Sequence, residues 1–152
     1  MNHNDRGLRG FGVLAVLLVV FASTLQPSAQ TRLSDKDVEK VMGNLKDDAG
    51  KFRSSFNSAV GKSALRNTDQ EKQAKSLVER FQKQTEDMLK HFKDNKAADT
   101  DLKNARDSAA DIDRLLSTTP MGSGVEDNWN KVKGGMENIS RAFGMDSPFA
   151  AK

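Results

Sequence analysis

One stripe of apolar side chains runs through residues 38–59, which read VEKVMGNLKDDAGKFRSSFNSA. Its members recur at steps of four, three, four and three residues: Val38, Met42, Leu45, Ala49, Phe52, Phe56 and Ala59. Because an α-helix turns once in about 3.6 residues, this alternation places all of these side chains on one face. The segment therefore predicts an amphipathic helix whose apolar face needs a partner.

The same spacing recurs three more times toward the carboxyl terminus. The second stripe is Ala74, Val78, Phe81, Thr85, Met88 and Phe92; the third is Leu102, Ala105, Ala109, Ile112 and Leu116; the fourth is Val125, Trp129, Val132, Met136, Ile139 and Phe143. Further apolar residues widen the stripes beyond a coiled-coil seam: Val41, Leu77, Leu89, Leu115 and Ala142. Since the loops between the segments are short, we predict an all-α, up-down-up-down four-helix bundle.

Capping and breaking residues bound the four helices. Ser34, Thr68 and Ser123 each have an acidic residue three positions later, as in the capping box at helix starts. Gly61 and Gly144 are the expected stops of the first and last helices. The predicted helices are 34–60, 68–95, 99–117 and 123–144.

Two adjacent glycines, Gly134 and Gly135, interrupt the fourth helix. Two glycines lower helix propensity by about 2 kcal/mol relative to alanine, so their presence needs a reason. A close approach of another helix is one explanation and a kink or hinge is the other. We favour the close approach.

The first 29 residues are typical of a secretory signal peptide. Arg6 and Arg9 precede an apolar run over 11–22, and the small residue Ala29 stands before the expected cut site. The run is too short for a hydrocarbon core of about 30 Å, so we expect cleavage after Ala29 rather than a stable membrane span. An uncleaved anchor is the alternative. Residues 30–152 then form one helical-bundle domain, exported to the periplasm or the extracellular space.

The composition excludes several other classes of protein. Without cysteine, the chain has neither a disulfide framework nor a lipid-modified cysteine. The 24 basic and 21 acidic residues are interleaved along the chain, which argues against a nucleic-acid-binding protein. Lys90, Lys93 and Lys96 form the densest basic group, and we interpret them as favourable cations near a helix carboxyl terminus.

His91 is the one histidine that remains after cleavage. A di-iron motif would need glutamate where Met88 stands. A b-type haem could bind between His91 and Met42 or Met136, but His91 lies beside its stripe, so we expect a surface residue.

Thr85, the polar member of a stripe, is expected to hydrogen-bond back to its own helix, with a small polar pocket as the alternative. We assign no catalytic, cofactor-binding or metal-binding residue and no cofactor.

Three segments together resemble a group of exported bacterial helical-bundle proteins of unknown function. They are Phe52-Arg-Ser-Ser-Phe56, Ile112-Asp-Arg-Leu-Leu116 and residues 129–144, which contain most of the fourth stripe. The resemblance spans roughly Leu33 to Met145 and implies a bacterial cell envelope as the setting. It implies no site residues.

These observations predict a non-enzymatic exported bundle that binds a protein or another envelope component through a helix face. The alternative is a carrier of a small molecule or b-type haem, with a pocket between helices near Thr85, Met88 and His91. The identity of the partner and the oligomeric state are not encoded in any motif of the chain.

Overall fold

The computed structural model describes residues 33–150, which form four helices: α1 (Asp35–Val60), α2 (Asp69–Asn95), α3 (Asp99–Thr118) and α4 (Ser123–Ala142). The described part of the chain is all-α, and the packing contacts between the helices confirm the predicted four-helix bundle. The predicted signal peptide and its cleavage after Ala29 lie outside the described residues.

Consecutive helices run antiparallel around the bundle. Along α1, Glu39 lies beside Lys93 of α2, whereas Arg53, nearer the other end of α1, lies beside Glu79. Helix α1 packs closely against both α2 and α4, and α2 packs closely against α3. The pair α3 and α4 closes the ring with the fewest backbone contacts of the four neighbouring pairs.

The core consists of the four predicted stripes. Every member of the second stripe is buried, including Thr85, and the other stripes are buried with three exceptions. Leu116 and Phe143, at the ends of their stripes, are half-buried, and Val60 is fully buried in place of the half-buried Ala59. A straight helix has 3.6 residues per turn rather than 3.5, so a strict 4-3 alternation drifts off the core-facing side after several turns.

Two of the three predicted amino-terminal caps are present. The Ser34 hydroxyl accepts a hydrogen bond from the Asp37 backbone N–H at 3.2 Å. The Thr68 hydroxyl accepts one from the Glu71 N–H, also at 3.2 Å. These bonds satisfy backbone donors that the first turn of a helix leaves free.

The prediction that Ser123 caps the fourth helix is wrong. Ser123 is the first helical residue, and the cap position belongs to Gly122, which has no capping side chain. The Gly122 carbonyl accepts hydrogen bonds from the backbone N–H groups of Val125 and Glu126. Gly122 has a φ of 91°, which glycine adopts readily, so the chain turns into the helix at this residue rather than at Ser123.

The fourth helix also ends two residues before the predicted limit, at Ala142. Gly144 has the left-handed backbone conformation (φ = 67°), which a residue without Cβ adopts readily. The N–H groups of Gly144 and Met145 bond the carbonyls of Arg141 and Ser140. This is the Schellman pattern, which reverses the chain after a helix. Gly144 is therefore the stop, as predicted, but the chain reversal leaves Phe143 and Gly144 outside the helix.

Gly135 marks a close approach of two helices, as predicted. A Cβ atom on Gly135 would lie 3.1 Å from Cδ1 of Leu45 in α1, whereas one on Gly134 would meet no atom within 4 Å. Helix α4 continues through both residues. One glycine of the pair therefore allows the tight packing of α1 against α4, and the other has no packing role in the described structure.

The outer surface of the described bundle is polar. Among residues 33–150, Leu33 is the one large apolar side chain that is exposed, at 40%. No helix within this range combines the length and the apolar character that crossing a membrane requires. Recognition at this surface would therefore depend on charge, on hydrogen bonds and on the shape of its grooves.

Candidate functional site: the groove between α3 and the C-terminal segment

Thr85 and Met88, two of the three residues predicted to border a pocket, belong to the closed core. Both are fully buried. The Thr85 hydroxyl donates a hydrogen bond of 2.7 Å to the backbone carbonyl of Gln82, one turn earlier in α2. This bond confirms the expected hydrogen bond from the Thr85 hydroxyl to its own helix. It also satisfies the hydroxyl, which would otherwise be an unpaired polar group inside the core.

His91, the third of these residues, lies at the surface. Its side chain is 51% exposed, and Nδ1 lies 2.7 Å from Oδ2 of Asp101. The pair joins the end of α2 to the beginning of α3. The surface position confirms the sequence interpretation of His91, but the sequence did not identify Asp101 because ten residues and a helix end separate the two.

Met42 and Met136, the proposed axial partners of His91, are fully buried among core side chains. His91 instead contacts the carboxylate of Asp101 outside that core. The structure therefore does not bring the histidine and the two methionines to a common site.

Three of the surface grooves in the described part of the chain differ in volume. The smallest, of about 360 Å³, lies between α2 and α3 near Leu65 and Thr118, and a second, of about 430 Å³, lies beside the α3–α4 loop. The largest, of about 1050 Å³, lies between α3 and the residues that follow α4. We call residues 145–150 the C-terminal segment.

The largest groove has two walls of different origin. One wall is the outer face of α3, and the other is the C-terminal segment. The α3 wall is formed by Asp99, Thr100, Lys103, Asn104, Arg106, Asp107 and Ala110. It therefore presents carboxylate, ammonium, guanidinium and amide groups within a single concave surface.

Arg106 holds the C-terminal segment against the bundle. Its Nη2 atom donates a hydrogen bond of 2.6 Å to the backbone carbonyl of Asp146, and Nη1 lies 3.3 Å from the sulfur of Met145. The Ser147 hydroxyl donates one of 3.3 Å to Glu137 of α4. The segment thus returns along α4 after the reversal at Gly144.

Phe149 anchors the far end of the segment on Trp129. The two ring centroids are 6.0 Å apart, and the rings are nearly perpendicular, at 82°. The Lys133 ammonium lies 6.0 Å from the centroid of the Phe149 ring. Edge-to-face aromatic pairs of this kind contribute about 0.5–1.5 kcal/mol beyond the apolar area that they bury.

Asp113 of α3 connects this aromatic contact to the neighbouring helix. Its Oδ1 accepts a hydrogen bond of 2.8 Å from the Trp129 indole N–H and lies 3.4 Å from the Lys133 ammonium. One carboxylate of α3 therefore pairs with two residues of α4, at the level where Phe149 covers the indole.

The groups with shifted pKa values lie on α2, away from this groove. The Lys75 ammonium, 2.6 Å from Oε1 of Glu71, and the Asn67 backbone N–H, 2.7 Å from Oε2, lower the pKa of Glu71. The carboxylate of Asp87, 2.9 Å from Nζ, raises the pKa of Lys83. Both are ion pairs within one helix, so these shifts stabilise helical turns rather than activate a reacting group.

Within residues 33–150, no group of three or more histidine, cysteine or carboxylate side chains is arranged to hold a metal ion. The chemistry that the groove offers is ionic and hydrogen-bonded recognition. The sequence indicated neither Arg106 nor Phe149 as part of a site. Two signals were available: Gly144 followed by the apolar Met145 indicates a reversal of the chain, and Phe149 is an apolar residue in a polar tail.

Comparisons with protein-family models, with curated proteins and with solved structures found no match to this chain. The resemblance to exported bacterial helical-bundle proteins stays a prediction from the sequence.

Proposed function

We propose that this chain is a non-enzymatic exported helical bundle that binds a protein or another component of the cell envelope. The observation that carries the proposal is the groove between α3 and the C-terminal segment, of about 1050 Å³, on a bundle whose apolar stripes are already buried against one another. A bundle with a complete core and one large concave surface is suited to binding rather than to enclosing a substrate.

The charges of the groove favour a polar partner. Asp99 and Asp107 stand on the same wall as Lys103 and Arg106, so the groove carries both signs. A surface of this kind selects a partner whose charges match it in position, because like charges brought together oppose binding. A polypeptide with interleaved charges fits this description better than a polyanion such as nucleic acid.

The absence of an enzymatic role is part of the proposal. Its support is the state of the most reactive side chain in the described region: His91 is paired with Asp101 at the surface. In addition, no group of three or more histidine, cysteine or carboxylate side chains within residues 33–150 is arranged to hold a metal ion. Export to the periplasm or the extracellular space rests on the N-terminal sequence alone.

The test is site-specific photo-crosslinking to envelope extract. A photoreactive amino acid replaces Lys103 in the groove or, as the control, Lys72, whose side chain is 82% exposed on α2. We expect a discrete adduct from position 103 and none from position 72. Identical adduct patterns from both positions, or an adduct from position 72 alone, would contradict the groove as the binding surface.

The carrier alternative has a separate test. The protein, exported with its own signal and purified without denaturant, is weighed by native mass spectrometry. Extra mass that disappears in His91→Ala would support a carrier, and a colourless protein of bare mass would contradict the haem version. Because Thr85 and Met88 lie in the closed core, a ligand beside them would require the helices to separate. A mass that corresponds to cleavage near Ala29 would also support export.

A further inference from the structure

The C-terminal segment occupies the place where the bundle is least closed. Helices α3 and α4 have the fewest backbone contacts of the neighbouring pairs. The segment bridges them, since Arg106 of α3 bonds the Asp146 carbonyl while Phe149 covers Trp129 of α4. The surface under the segment, which we call the seat, thus combines residues of both helices.

The seat holds the segment mainly through side chains. Between Asp146 and Ala150, the Asp146 carbonyl is the backbone group that the described hydrogen bonds connect to the helices. The Phe149 N–H and the Ala150 N–H bond back to Ser147, within the segment itself. From Asp146 onward, the segment therefore forms no part of a continuous backbone ladder. This part can leave the seat while the Met145 N–H keeps its hydrogen bond to the Ser140 carbonyl at the end of α4.

Two buried polar atoms near the seat have no hydrogen-bond partner: Nε of Arg106 and Oγ of Ser140. Arg106 contacts Met145 and Asp146, and the Ser140 carbonyl accepts a hydrogen bond from the Met145 N–H, so both residues lie beside the start of the segment. A buried polar atom without a partner lowers stability, because it has lost its hydrogen bonds to water. The segment thus contacts both terminal nitrogens of the Arg106 guanidinium and leaves its Nε without a protein partner.

We propose that the seat is a peptide-binding groove and that its resident ligand is residues 145–150 of this chain, held as an exchangeable strap. The seat offers three points of recognition in a fixed order: the Arg106 guanidinium for a carbonyl, the Glu137 carboxylate for a hydroxyl and the indole of Trp129 for an aromatic ring. The strap supplies these groups through Asp146, Ser147 and Phe149. This inference goes beyond the proposed function and does not depend on it, because all the contacts lie within one chain.

The experiment adds the strap to the protein as a separate peptide. A dye-labelled peptide of residues 145–152 is titrated into the full-length chain and into the full-length variant Phe149→Ala, whose own strap lacks the anchoring ring. A strap tethered to its seat competes at a high effective concentration, so the unchanged chain should bind the peptide weakly. We expect the variant to bind the peptide roughly tenfold more tightly or better.

Two controls identify the seat as the place of binding. A peptide with Phe149→Ala should bind the variant protein at least about tenfold more weakly, because it lacks the ring that contacts the indole. A chain with Glu137→Cys and Ser147→Cys, joined by a short bis-maleimide bridge, cannot release its strap and should not bind the peptide. The chain contains no other cysteine to react.

Trp129 reports the exchange directly, since it is the single tryptophan of the chain. Its emission should shift to longer wavelength in Phe149→Ala and return when the peptide binds. Circular dichroism confirms that the variant keeps its helices. Equal affinity of the two proteins, equal affinity of the two peptides, or binding to the bridged chain would each overturn the proposal.

Discussion

At the scale of single residues, Trp129 joins the aromatic core to the polar edge of the bundle. Its ring lies 4.8 Å from that of Phe52 and 6.0 Å from that of Phe81, measured between centroids. Its indole N–H donates to Asp113 at the same time. The stripe spacing predicted that Trp129 belongs to the core, and this is confirmed, but the spacing contained no information about the carboxylate that receives its hydrogen bond.

Replacing Trp129 should therefore reveal two separate contributions to stability. Trp129→Ala should lower the free energy of unfolding by about 3–5 kcal/mol, because it removes a large buried side chain. Trp129→Phe should lower it by about 1–2 kcal/mol, since a ring remains while the hydrogen bond to Asp113 is lost. Urea unfolding followed by circular dichroism measures both.

The control for these variants is Lys72→Ala, because the Lys72 side chain is 82% exposed and a change there should alter stability little. Equal losses for Trp129→Ala and Trp129→Phe would contradict the division between core packing and hydrogen bond.

At the scale of helices, local sequence predicts most of the residues at which helices begin and end. Ser34 and Thr68 cap α1 and α2 as their spacing indicates. Ser123 has the same spacing but does not cap α4, since Gly122 occupies the cap position with a φ of 91°. The capping pattern therefore predicts where a helix begins, but not which loop residue takes the cap position.

The carboxylate of Glu71 should make the start of α2 sensitive to acid. Its pKa is lowered from the ordinary value of 4.5 by Lys75 and by the Asn67 N–H. A lowered folded-state pKa contributes stability above the unfolded value, and this contribution is lost as the pH falls through the folded-state pKa. We therefore expect Glu71→Gln to lower the melting temperature at pH 7 more than at pH 2.

Thermal melts by circular dichroism at the two pH values measure this difference. Asp69→Asn, at an 88% exposed side chain one residue into α2, is the matched control. An equal effect of Glu71→Gln at both pH values would contradict the role of its charge.

The two glycines of α4 offer a matched pair of substitutions. Gly134→Ala should raise the free energy of unfolding by about 1 kcal/mol, because alanine favours the helix and its Cβ meets no atom within 4 Å. Gly135→Ala should give a smaller gain or a loss, since its Cβ would meet Cδ1 of Leu45 at 3.1 Å. Chemical denaturation distinguishes the two, and an equal gain at both positions would argue against close packing at Gly135.

At the scale of the whole molecule, the four helices are not equally enclosed. Helix α1 packs closely against α2 and α4, whereas α3 packs closely against α2 and contacts α4 mainly through side chains and the C-terminal segment. Local opening should therefore begin at α3, because fewer contacts hold it.

Hydrogen exchange of the native protein tests this order. Backbone amides in the middle of α3 should exchange roughly tenfold faster than those in the middle of α1. Phe149→Ala should increase the exchange of α3 further and leave that of α1 unchanged. Equal protection of α1 and α3 would show that the bundle opens as one unit.

Charged pairs between α1 and α2 could have been recognised in the sequence but were not. Glu39 and Arg53 of α1 lie two heptads apart, and so do Glu79 and Lys93 of α2, with opposite charges at facing positions. Heptad spacing of complementary charges is a signal that the sequence contains, and it sets the register of neighbouring helices. Each exposed pair contributes little to stability, about 0.2–1 kcal/mol.

The helical class, the stripes that form the core and most helix ends follow from the local sequence, because these features depend on residues within about two turns of one another. The local sequence could not distinguish Gly134 from Gly135, since the difference is the position of Leu45 on another helix. Nor could it pair His91 with Asp101 across a helix end. The contact of Phe149 with Trp129 depends on the folded bundle, because it requires both the Gly144 reversal and an open place between α3 and α4.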